Sequence, residues 1–414
     1  VIERHSLAAL PGSIAIGHTR WATHGGVTQF NAHPHSDCGS RVAVVHNGIV
    51  ENNQQLRQEL IKNGHKFTSQ TDTEVIPHLI EDELKKGSSL EQAVLNIAPK
   101  LEGSYAFLVM APNNPGKIVG TRRSNPLIVG INGTDCYVSS DALAFSQYTS
   151  QVMSLGDNEV VMLTQEGVQF FDAKGNKVAK EVRKLDHSWA ESNKAGYQHF
   201  MLKEIMEQPQ MLDQTACQDG KTFTKIALDI LRAKQVIITA CGTSRYAALV
   251  GRYLFSKVGK KFCDVVMASE FGYFADSVDK STIVIAVSQS GETADIVEGV
   301  KAARDNGAEI ISIINRPNSV LADLSDQVIY LNCGAEIAVA ATKTFLSQLA
   351  IFYLLSFSMV DAFDEATARL NSLNGEIAKV LDRNKSELVN LSQNLKDKSD
   401  FYYIARGINF AIAS

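Results

Sequence analysis

Two short segments place small hydroxyl residues between a predicted strand and a predicted helix. They are Cys241-Gly242-Thr243-Ser244 and Ser288-Gln289-Ser290-Gly291-Glu292-Thr293. Helix N-termini attract anions through their free N–H groups and dipole, and hydroxyl groups add further donors. Phosphate binding is therefore one interpretation of these loops, and ordinary helix capping by Ser and Thr is the other. Neither loop contains Lys or Arg, and the absence of GxxxxGK[ST] and GxGxxG motifs disfavours nucleotide binding.

A second candidate region contains five histidines within 29 residues, which are His18, His24, His33, His35 and His46. Histidines bind metals, but no helical HxxxH pair and no nearby cysteine pair accompanies them, so we expect no metal here. The adjacent Asn47-Gly48 is typical of a tight hairpin turn. Thr71 and Glu74 have the spacing of a helix capping box. Each of these motifs alone has an ordinary structural interpretation.

The elements that must position the histidines form a first part that ends near Lys184. Its predicted strands are Ile14–Ile16, Val42–Val45, Tyr105–Ala111, Lys117–Thr121, Leu127–Ile131, Cys136–Ser139 and the hairpin Glu159–Thr164 with Val168–Phe171. Its predicted helices are Asn53–Asn63, Thr73–Lys86 and Leu90–Leu101. Many short strands with a few longer helices predict a layered α+β fold.

From Ala233 onward, predicted strands and helices alternate. The strands are Gln235–Ala240, Thr282–Val287, Glu309–Ile314 and Gln327–Leu331, and the helices are Arg245–Val258, Ala294–Asn306 and Thr342–Val360. This alternation predicts a parallel sheet covered on both faces, with ligands bound beyond the carboxyl ends of its strands. A helix over Gln198–Thr215, kinked or broken at Pro209, precedes this region. Further helices between Asp364 and Lys396 and a strand over Asp400–Ala405 follow it.

These elements predict four segments along the chain. They are a first domain over 1–184, a linker over 185–197, a second domain over 198–363, and connecting helices over 364–414 that lead into a further domain of the second type. We expect that further domain to continue beyond Ser414.

Composition excludes several classes of protein. The 414 residues are 45% hydrophobic and 21% charged with a net charge of −5, which is typical of a globular protein and not of a nucleic-acid binder. The longest apolar stretch, 345–360, is short and interrupted by Ser and Gln, so it predicts a buried helix and no membrane span. Six cysteines without a CxxC pair predict reduced thiols and a cytoplasmic protein.

The motifs CGTS, SQSGET and AEIAVAATKTF, each leading into a predicted helix, resemble the sugar isomerase (SIS) domain family. This resemblance implies a flavodoxin-like α/β domain with a parallel sheet that binds phosphosugars. It implies that the phosphate is contacted by Thr243, Ser244, Ser288, Gln289, Ser290 and Thr293. Val339 in the third motif would approach the sugar through its backbone, and Glu336 would help to position that loop.

The motifs GHTRWATHGG, FNAHPH, VHNGIVEN and TDTEV resemble the class II glutamine amidotransferase domain, an N-terminal-nucleophile hydrolase with an αββα sandwich. The resemblance implies that Arg20 pairs with the carboxylate of glutamine and that Asp72 binds its α-amino group. Asn47 and Gly48 would form the oxyanion hole. Trp21 and His24 would line the path near the glutamine.

In this family the nucleophile is an N-terminal cysteine whose own α-amine acts as the base. The sequence begins with Val1, so we expect this cysteine to lie outside it and the fragment to be inactive in glutamine hydrolysis. Cys38 is internal and has no free α-amine, so we do not assign it as the nucleophile.

The order of the two halves resembles the glutamine–fructose-6-phosphate aminotransferase family. The resemblance implies that glutamine releases ammonia, which passes through a shielded channel and aminates fructose 6-phosphate, with isomerisation to glucosamine 6-phosphate. It also implies a homodimer through SIS domains, no cofactor, and isomerisation residues beyond Ser414, so Lys343 would not be the Schiff-base lysine. Two alternatives stay open: a non-catalytic phosphosugar-binding regulator, and another class II glutamine amidotransferase.

Overall fold

The computed structural model describes residues 12–20, 23–184, 194–317 and 319–414. The chain divides into two compact units, Val1–Glu191 and Ser192–Ser414. The boundary falls within the predicted linker over 185–197, most of which lies outside the described residues. The four-segment division of the sequence stays a prediction.

The first unit contains two antiparallel sheets among its described residues. Its strands are β1 (His35–Ser36), β2 (Ala43–Val50), β3 (Gly103–Met110), β4 (Ile118–Arg123), β5 (Ile128–Asn132), β6 (Asp135–Ser139), β7 (Gln151–Ser154), β8 (Val160–Thr164), β9 (Gly167–Phe171), β10 (Lys177–Val178) and β11 (Arg183–Lys184). One sheet has the order β1-β2-β3-β4-β8-β9-β10, and the other has the order β11-β7-β5-β6. The predicted hairpin is confirmed, because β8 pairs with β9 and Thr164 lies opposite Gly167.

Successive side chains of β3 point to opposite faces of its sheet and pack into two different cores. Tyr105 and Phe107 pack into one apolar core together with residues of α1 (Asn53–Lys62), α2 (Val75–Lys85) and α3 (Leu90–Ile97). Ala106, which faces the other side, packs with Val129 and Val161 in a core between the two sheets. A short 3-10 helix, Ala142–Ala144, adds a small core on β5 and β7. The layers therefore agree with the predicted α+β sandwich.

The second unit contains a parallel sheet. Its strands are β12 (Gln235–Ala240), β13 (Asp264–Met267), β14 (Thr282–Ser288), β15 (Glu309–Ile314) and β16 (Gln327–Tyr330). Their order, β13-β12-β14-β15-β16, is the flavodoxin-like order 2-1-3-4-5, as predicted. The helices are α4 (Phe200–Ala216), α5 (Gly220–Arg232), α6 (Gly242–Lys257), α7 (Ala268–Phe271), α8 (Ala294–Asp305), α9 (Val320–Leu324), α10 (Lys343–Ser358), α11 (Phe363–Arg383), α12 (Lys385–Leu395) and α13 (Ile408–Ala413). Two separate apolar cores contain residues of this sheet.

Two predicted strands are wrong. Ile14–Ile16 and Asp400–Ala405 are not strands, because neither segment has a ladder partner among the described residues. Without such a partner the second segment leaves Tyr402 88% and Ile404 97% exposed. Helix α4 continues through Pro209 to Ala216, which excludes the predicted break and leaves the predicted kink untested. Among the described residues, no helix combines the length and apolar character needed to cross a membrane.

Candidate active sites

Asn47 and Gly48 lie inside strand β2 and not in a hairpin turn, so that interpretation is wrong. Asn47 pairs with Ala106 and Gly48 with Tyr105 of β3. Gly48 has φ +117, and a Cβ there would lie 2.0 Å from the backbone oxygen of Ser104. Only glycine fits this backbone conformation and this close approach, so the sequence at 48 is fixed by geometry.

His18 orients the side-chain amide of Asn47. The backbone N–H of Arg20 donates to Nδ1 of His18 at 2.8 Å, so Nδ1 is the acceptor and Nε2 carries the proton. Nε2 lies 2.6 Å from Oδ1 of Asn47 and therefore donates to it. The amide oxygen is thereby occupied, and the two N–H donors of Asn47 are left to face a ligand. Asn125 also holds Asn47, because its Nδ2 donates to the backbone oxygen of Asn47 at 3.1 Å.

Asp72 and His24 meet beside this network. Asp72 is 3% exposed, and its Oδ2 accepts from the backbone N–H of Val50 at 2.8 Å. Its Oδ1 lies 3.8 Å from Nδ1 of His24. A buried carboxylate held by one backbone donor retains acceptor capacity for a cationic amine. This arrangement is compatible with the predicted binding of an α-amino group.

Arg20 organises the loop that follows it. Its backbone has φ +42, and its guanidinium donates to the backbone oxygens of His24, Gly25 and Gly26 at 2.9, 3.3 and 3.0 Å. A guanidinium has five N–H donors, so these contacts leave donors for a carboxylate. The predicted role of Trp21 concerns a residue outside the described residues.

His18, His33 and His35 form a group of contacting rings. The rings of His18 and His33 have centroids 4.1 Å apart, and those of His33 and His35 are 4.9 Å apart. Burial, followed by neighbouring histidines, lowers the pKa of His33 to about 3. Burial also lowers the pKa of His35 and brings that of His46 to about 4. These rings are therefore uncharged at neutral pH, and they add no positive charge to the glutamine site.

The predicted capping box of Thr71 and Glu74 is not formed. Glu74 instead accepts from the backbone N–H groups of Thr68 and Ser69 at 2.7 Å each, while Thr71 contacts His35 at 3.1 Å. Glu74 thus shapes the loop before α2, which carries Asp72. Thr71 and Glu74 have the spacing of a capping box, but the carboxylate of Glu74 accepts from the backbone N–H groups of Thr68 and Ser69 instead.

The two hydroxyl-rich loops of the second unit follow adjacent parallel strands. Cys241–Ser244 follows β12 and opens α6, and Ser288–Thr293 runs from the end of β14 to α8. β13 is the next strand along the chain after β12 and lies on one side of it. β14 and β15 lie on the other side of β12. The point between β12 and β14 is therefore the topological switch point, where ligands bind in open parallel sheets.

Helix capping does not account for these hydroxyls. Cys241 and Thr293 are the N-cap residues of α6 and α8, and neither side chain makes a capping hydrogen bond. Ser288 instead accepts from the backbone N–H of Gly291 at 3.0 Å and lies 3.2 Å from the Thr293 hydroxyl. Ser244 accepts from Nε2 of Gln348 at 2.9 Å. The hydroxyls are held as a set near the helix N-termini, which suits an anion.

Two glutamates shape the third loop, which precedes α10. Glu336 accepts from the backbone N–H groups of Thr342 and Thr344 at 2.8 and 3.2 Å, in agreement with its expected positioning role. Glu204 of α4 is 2% exposed and accepts from the backbone N–H groups of Ile337 and Ala338 at 2.6 and 3.2 Å. Val339 follows directly and is 86% exposed. The residue is therefore open to solvent.

Lys343 is buried and paired. It is 3% exposed, and its Nζ lies 2.8 Å from Oε2 of Glu207. The ion pair ties the start of α10 to α4, which is a structural contact between the two helices.

Sequence reasoning missed four residues that hold the sites in place, which are His18, Asn125, Glu204 and Gln348. Their contacts to Asn47, the third loop and Ser244 span between 29 and 134 residues of sequence. No local spacing signals such contacts. In the sequence, His18 differs in no way from the other four histidines, and only the fold places its ring beside the side chain of Asn47.

Comparisons with known proteins agree with the two predicted domain families. The family model described as a glutamine amidotransferase domain matches residues 18–147, and the SIS domain model matches residues 229–357. The chain is 40% identical over 421 residues to the glutamine–fructose-6-phosphate aminotransferase of Thermococcus kodakarensis, covering 99% of this chain and 70% of the relative. It is 41% identical over 407 residues to the enzyme of that name from Methanothermobacter thermautotrophicus, covering 98% and 68%.

A solved structure, the C-terminal domain of glucosamine-fructose-6-phosphate aminotransferase from Francisella tularensis, is 32% identical with a TM-score of 0.48. It covers 54% of this chain and 66% of the other. The relatives that match along the whole chain favour the aminotransferase over a non-catalytic regulator or a different amidotransferase.

Proposed function

This chain belongs to the glutamine–fructose-6-phosphate aminotransferase family, and we propose that it takes part in the glutamine-dependent amination and isomerisation of fructose 6-phosphate to glucosamine 6-phosphate. The observation that carries the proposal is the set of hydroxyl-rich loops at the switch point between β12 and β14.

In the second unit, the phosphate of fructose 6-phosphate lies between the two loops. The hydroxyls of Thr243 and Ser244 approach from the start of α6, and those of Ser288, Ser290 and Thr293 approach from the loop before α8. Neutral donors and two helix N-termini stabilise the dianion without a bound cation. Gln289 completes the phosphate contacts, and the backbone at Val339 binds the sugar.

In the first unit, the glutamine side chain lies against Asn47 and Gly48. Arg20 binds its carboxylate, and Asp72 binds its α-amino group beside His24. As a thiolate attacks the amide, negative charge develops on the amide oxygen, and the oriented Nδ2 of Asn47 donates to it. The attacking thiol comes from an N-terminal cysteine in this mechanism, and we assign that role to none of the six cysteines in the sequence.

Three finer features complete the proposal. Ammonia released from glutamine passes to the sugar site without entering bulk water, where it would be protonated. The enzyme acts in the cytoplasm, which suits six cysteines that are all free thiols. It forms a homodimer through its SIS domains.

Ligand binding to the purified chain tests the sugar-phosphate site. Fructose 6-phosphate should raise the melting temperature and bind with a measurable heat by titration calorimetry, whereas fructose and ATP should not. Ser288→Ala should weaken binding by about 10- to 100-fold, because hydrogen bonds to charged groups contribute about 1.5–3 kcal/mol. Ser392→Ala, on the exposed surface of α12, is the matched control. Stabilisation by ATP but not by fructose 6-phosphate would reject the proposal.

A further inference from the structure

Four metal-binding side chains from three segments of the first unit converge away from the predicted glutamine ligands. Cys38 lies between β1 and β2, His65 follows α1, and His78 and Glu81 lie one turn apart on α2. One ligand atom from each lies within 4.8 Å of the others. Both histidines and the glutamate are buried. Among the described residues, no other group of three or more such side chains has this spacing.

Four of the six separations between these ligand atoms are close to those of ligands around one tetrahedral ion. Sγ of Cys38 lies 3.7 Å from Nδ1 of His65 and 3.7 Å from Nδ1 of His78. Oε2 of Glu81 lies 3.2 and 3.6 Å from the same two nitrogens. Ligands at zinc bond lengths in tetrahedral geometry are about 3.3–3.6 Å apart. The sulfur distances alone also fit weak thiol hydrogen bonds, but an N–O distance of 3.6 Å is too long for one.

The outer nitrogens of the two histidines face carboxylates, as is usual for metal-bound imidazole. Nε2 of His65 lies 2.9 Å from Oδ1 of Asp82. Nε2 of His78 has no hydrogen-bond partner within the described part of the chain and lies 3.8 Å from Oε1 of Glu74. These contacts leave both Nδ1 atoms directed at the cluster.

The thiol and the carboxylate are also oriented from outside. The backbone N–H of Lys66 donates to Sγ of Cys38 at 3.3 Å. Oε1 of Glu81 is occupied by Arg41 at 2.8 Å and Lys85 at 2.9 Å. Oε2 is left as the single oxygen that faces Cys38 and the two histidines.

We propose that Cys38, His65, His78 and Glu81 form a structural Zn²⁺ site. A thiolate with two imidazoles selects zinc over magnesium or calcium, and one thiolate plus one carboxylate balances the charge of the ion. Four protein ligands close the coordination sphere, so the site lacks the open position of a catalytic zinc. The ion ties the β1–β2 loop and the segment after α1 to helix α2. This proposal goes beyond the amination reaction and does not depend on it.

The metal content and coordination of the unmodified chain provide the first test. We expect about one zinc per chain by elemental analysis after purification without chelator. X-ray absorption should give one sulfur at about 2.3 Å and three nitrogen or oxygen ligands at about 2.0 Å. An absent zinc signal together with no uptake of added Zn²⁺ would overturn the proposal, and so would a coordination shell without sulfur.

Variants locate the site independently of activity. Cys38→Ser and His78→Gln should abolish stoichiometric zinc, whereas Cys217→Ser and His199→Gln, at exposed positions in the second unit, should retain it. Asp82→Asn keeps all four ligands and should weaken zinc affinity by about 10- to 100-fold in a competition titration. This variant keeps the test valid if the ligand variants fail to fold. Wild-type zinc affinity in Cys38→Ser or in Asp82→Asn would refute the assignment.

Discussion

Replacing Glu204 tests whether helix α4 holds the third loop in the conformation that binds the sugar. Its Oε1 accepts from the backbone N–H groups of Ile337 and Ala338. Each hydrogen bond to a charged group contributes about 1.5–3 kcal/mol, so Glu204→Ala removes a gross interaction of about 3–6 kcal/mol.

Two effects reduce that figure. Ile337 is 37% exposed, so the loop can turn its N–H groups to water once the carboxylate is gone. Oε2 of Glu204 is buried and has no hydrogen-bond partner among the residues that the structure describes, so removing the side chain also removes an unfavourable desolvation. We therefore expect a net loss of only about 1–2 kcal/mol in the free energy of unfolding of the second unit.

Ligand affinity should be more sensitive than stability, because relaxation of the loop moves the backbone at Val339. We expect fructose 6-phosphate to bind about 10-fold more weakly to Glu204→Ala, whereas inorganic phosphate should bind almost unchanged. Urea unfolding and titration calorimetry measure the two quantities. Glu376→Gln, which breaks an exposed ion pair on α11, is a control that should change stability by less than about 0.5 kcal/mol. The reasoning fails if a folded Glu204→Ala binds both ligands like the wild type.

Burial lowers the pKa of His46 from 6.5 to about 4, so its stabilisation is present above pH 6.5 and is lost as the pH falls toward 4. In urea unfolding, the wild type should lose about 2 kcal/mol more stability between pH 8 and pH 5 than His46→Gln, and an equal pH dependence in the two proteins would contradict this. Gly48→Ala places a Cβ 2.0 Å from the oxygen of Ser104 and should destabilise the first unit by at least about 2 kcal/mol, so an unchanged urea midpoint would exclude the clash. Gly291 has φ +69, and a Cβ there would lie 2.2 Å from Oγ of Ser319. Gly291→Ala should therefore weaken fructose 6-phosphate binding at least about 10-fold by calorimetry. Wild-type affinity in this variant would show that the conformation of Gly291 does not matter for phosphate binding.

The parallel sheet was predictable because its strands are buried on both faces. β14 (Thr282–Ser288) is buried at every position, and such continuous apolar runs between amphipathic helices have few other interpretations. β13 (Asp264–Met267) was not predicted, because it is short, lies at the edge of the sheet and includes an exposed residue at each end. A strand at the edge of a sheet has only one neighbouring strand, so its apolar pattern in the sequence is weaker than that of a central strand.

Asn47-Gly48 shows how tertiary pairing overrides local preference. The dipeptide favours a tight turn when only its own backbone is considered. In the fold, β3 provides partners on both sides of the dipeptide, and the positive φ of Gly48 is accommodated within the strand. The family resemblance predicts a functional role for Asn47, and in the fold the conformation of this residue depends on His18 and Asn125.

The zinc ligands were invisible in the sequence because their separations, 27 residues from Cys38 to His65 and 13 more to His78, follow no established motif. Only His78 and Glu81 share a local pattern, one turn apart on α2. Their position nevertheless matters for the glutamine site. The segment from His65 to His78 begins and ends at zinc ligands and contains Asp72, so an ion that fixes both ends restricts the backbone that carries this carboxylate. A metal held by side chains other than the predicted glutamine ligands would thereby contribute to the geometry of the predicted glutamine site.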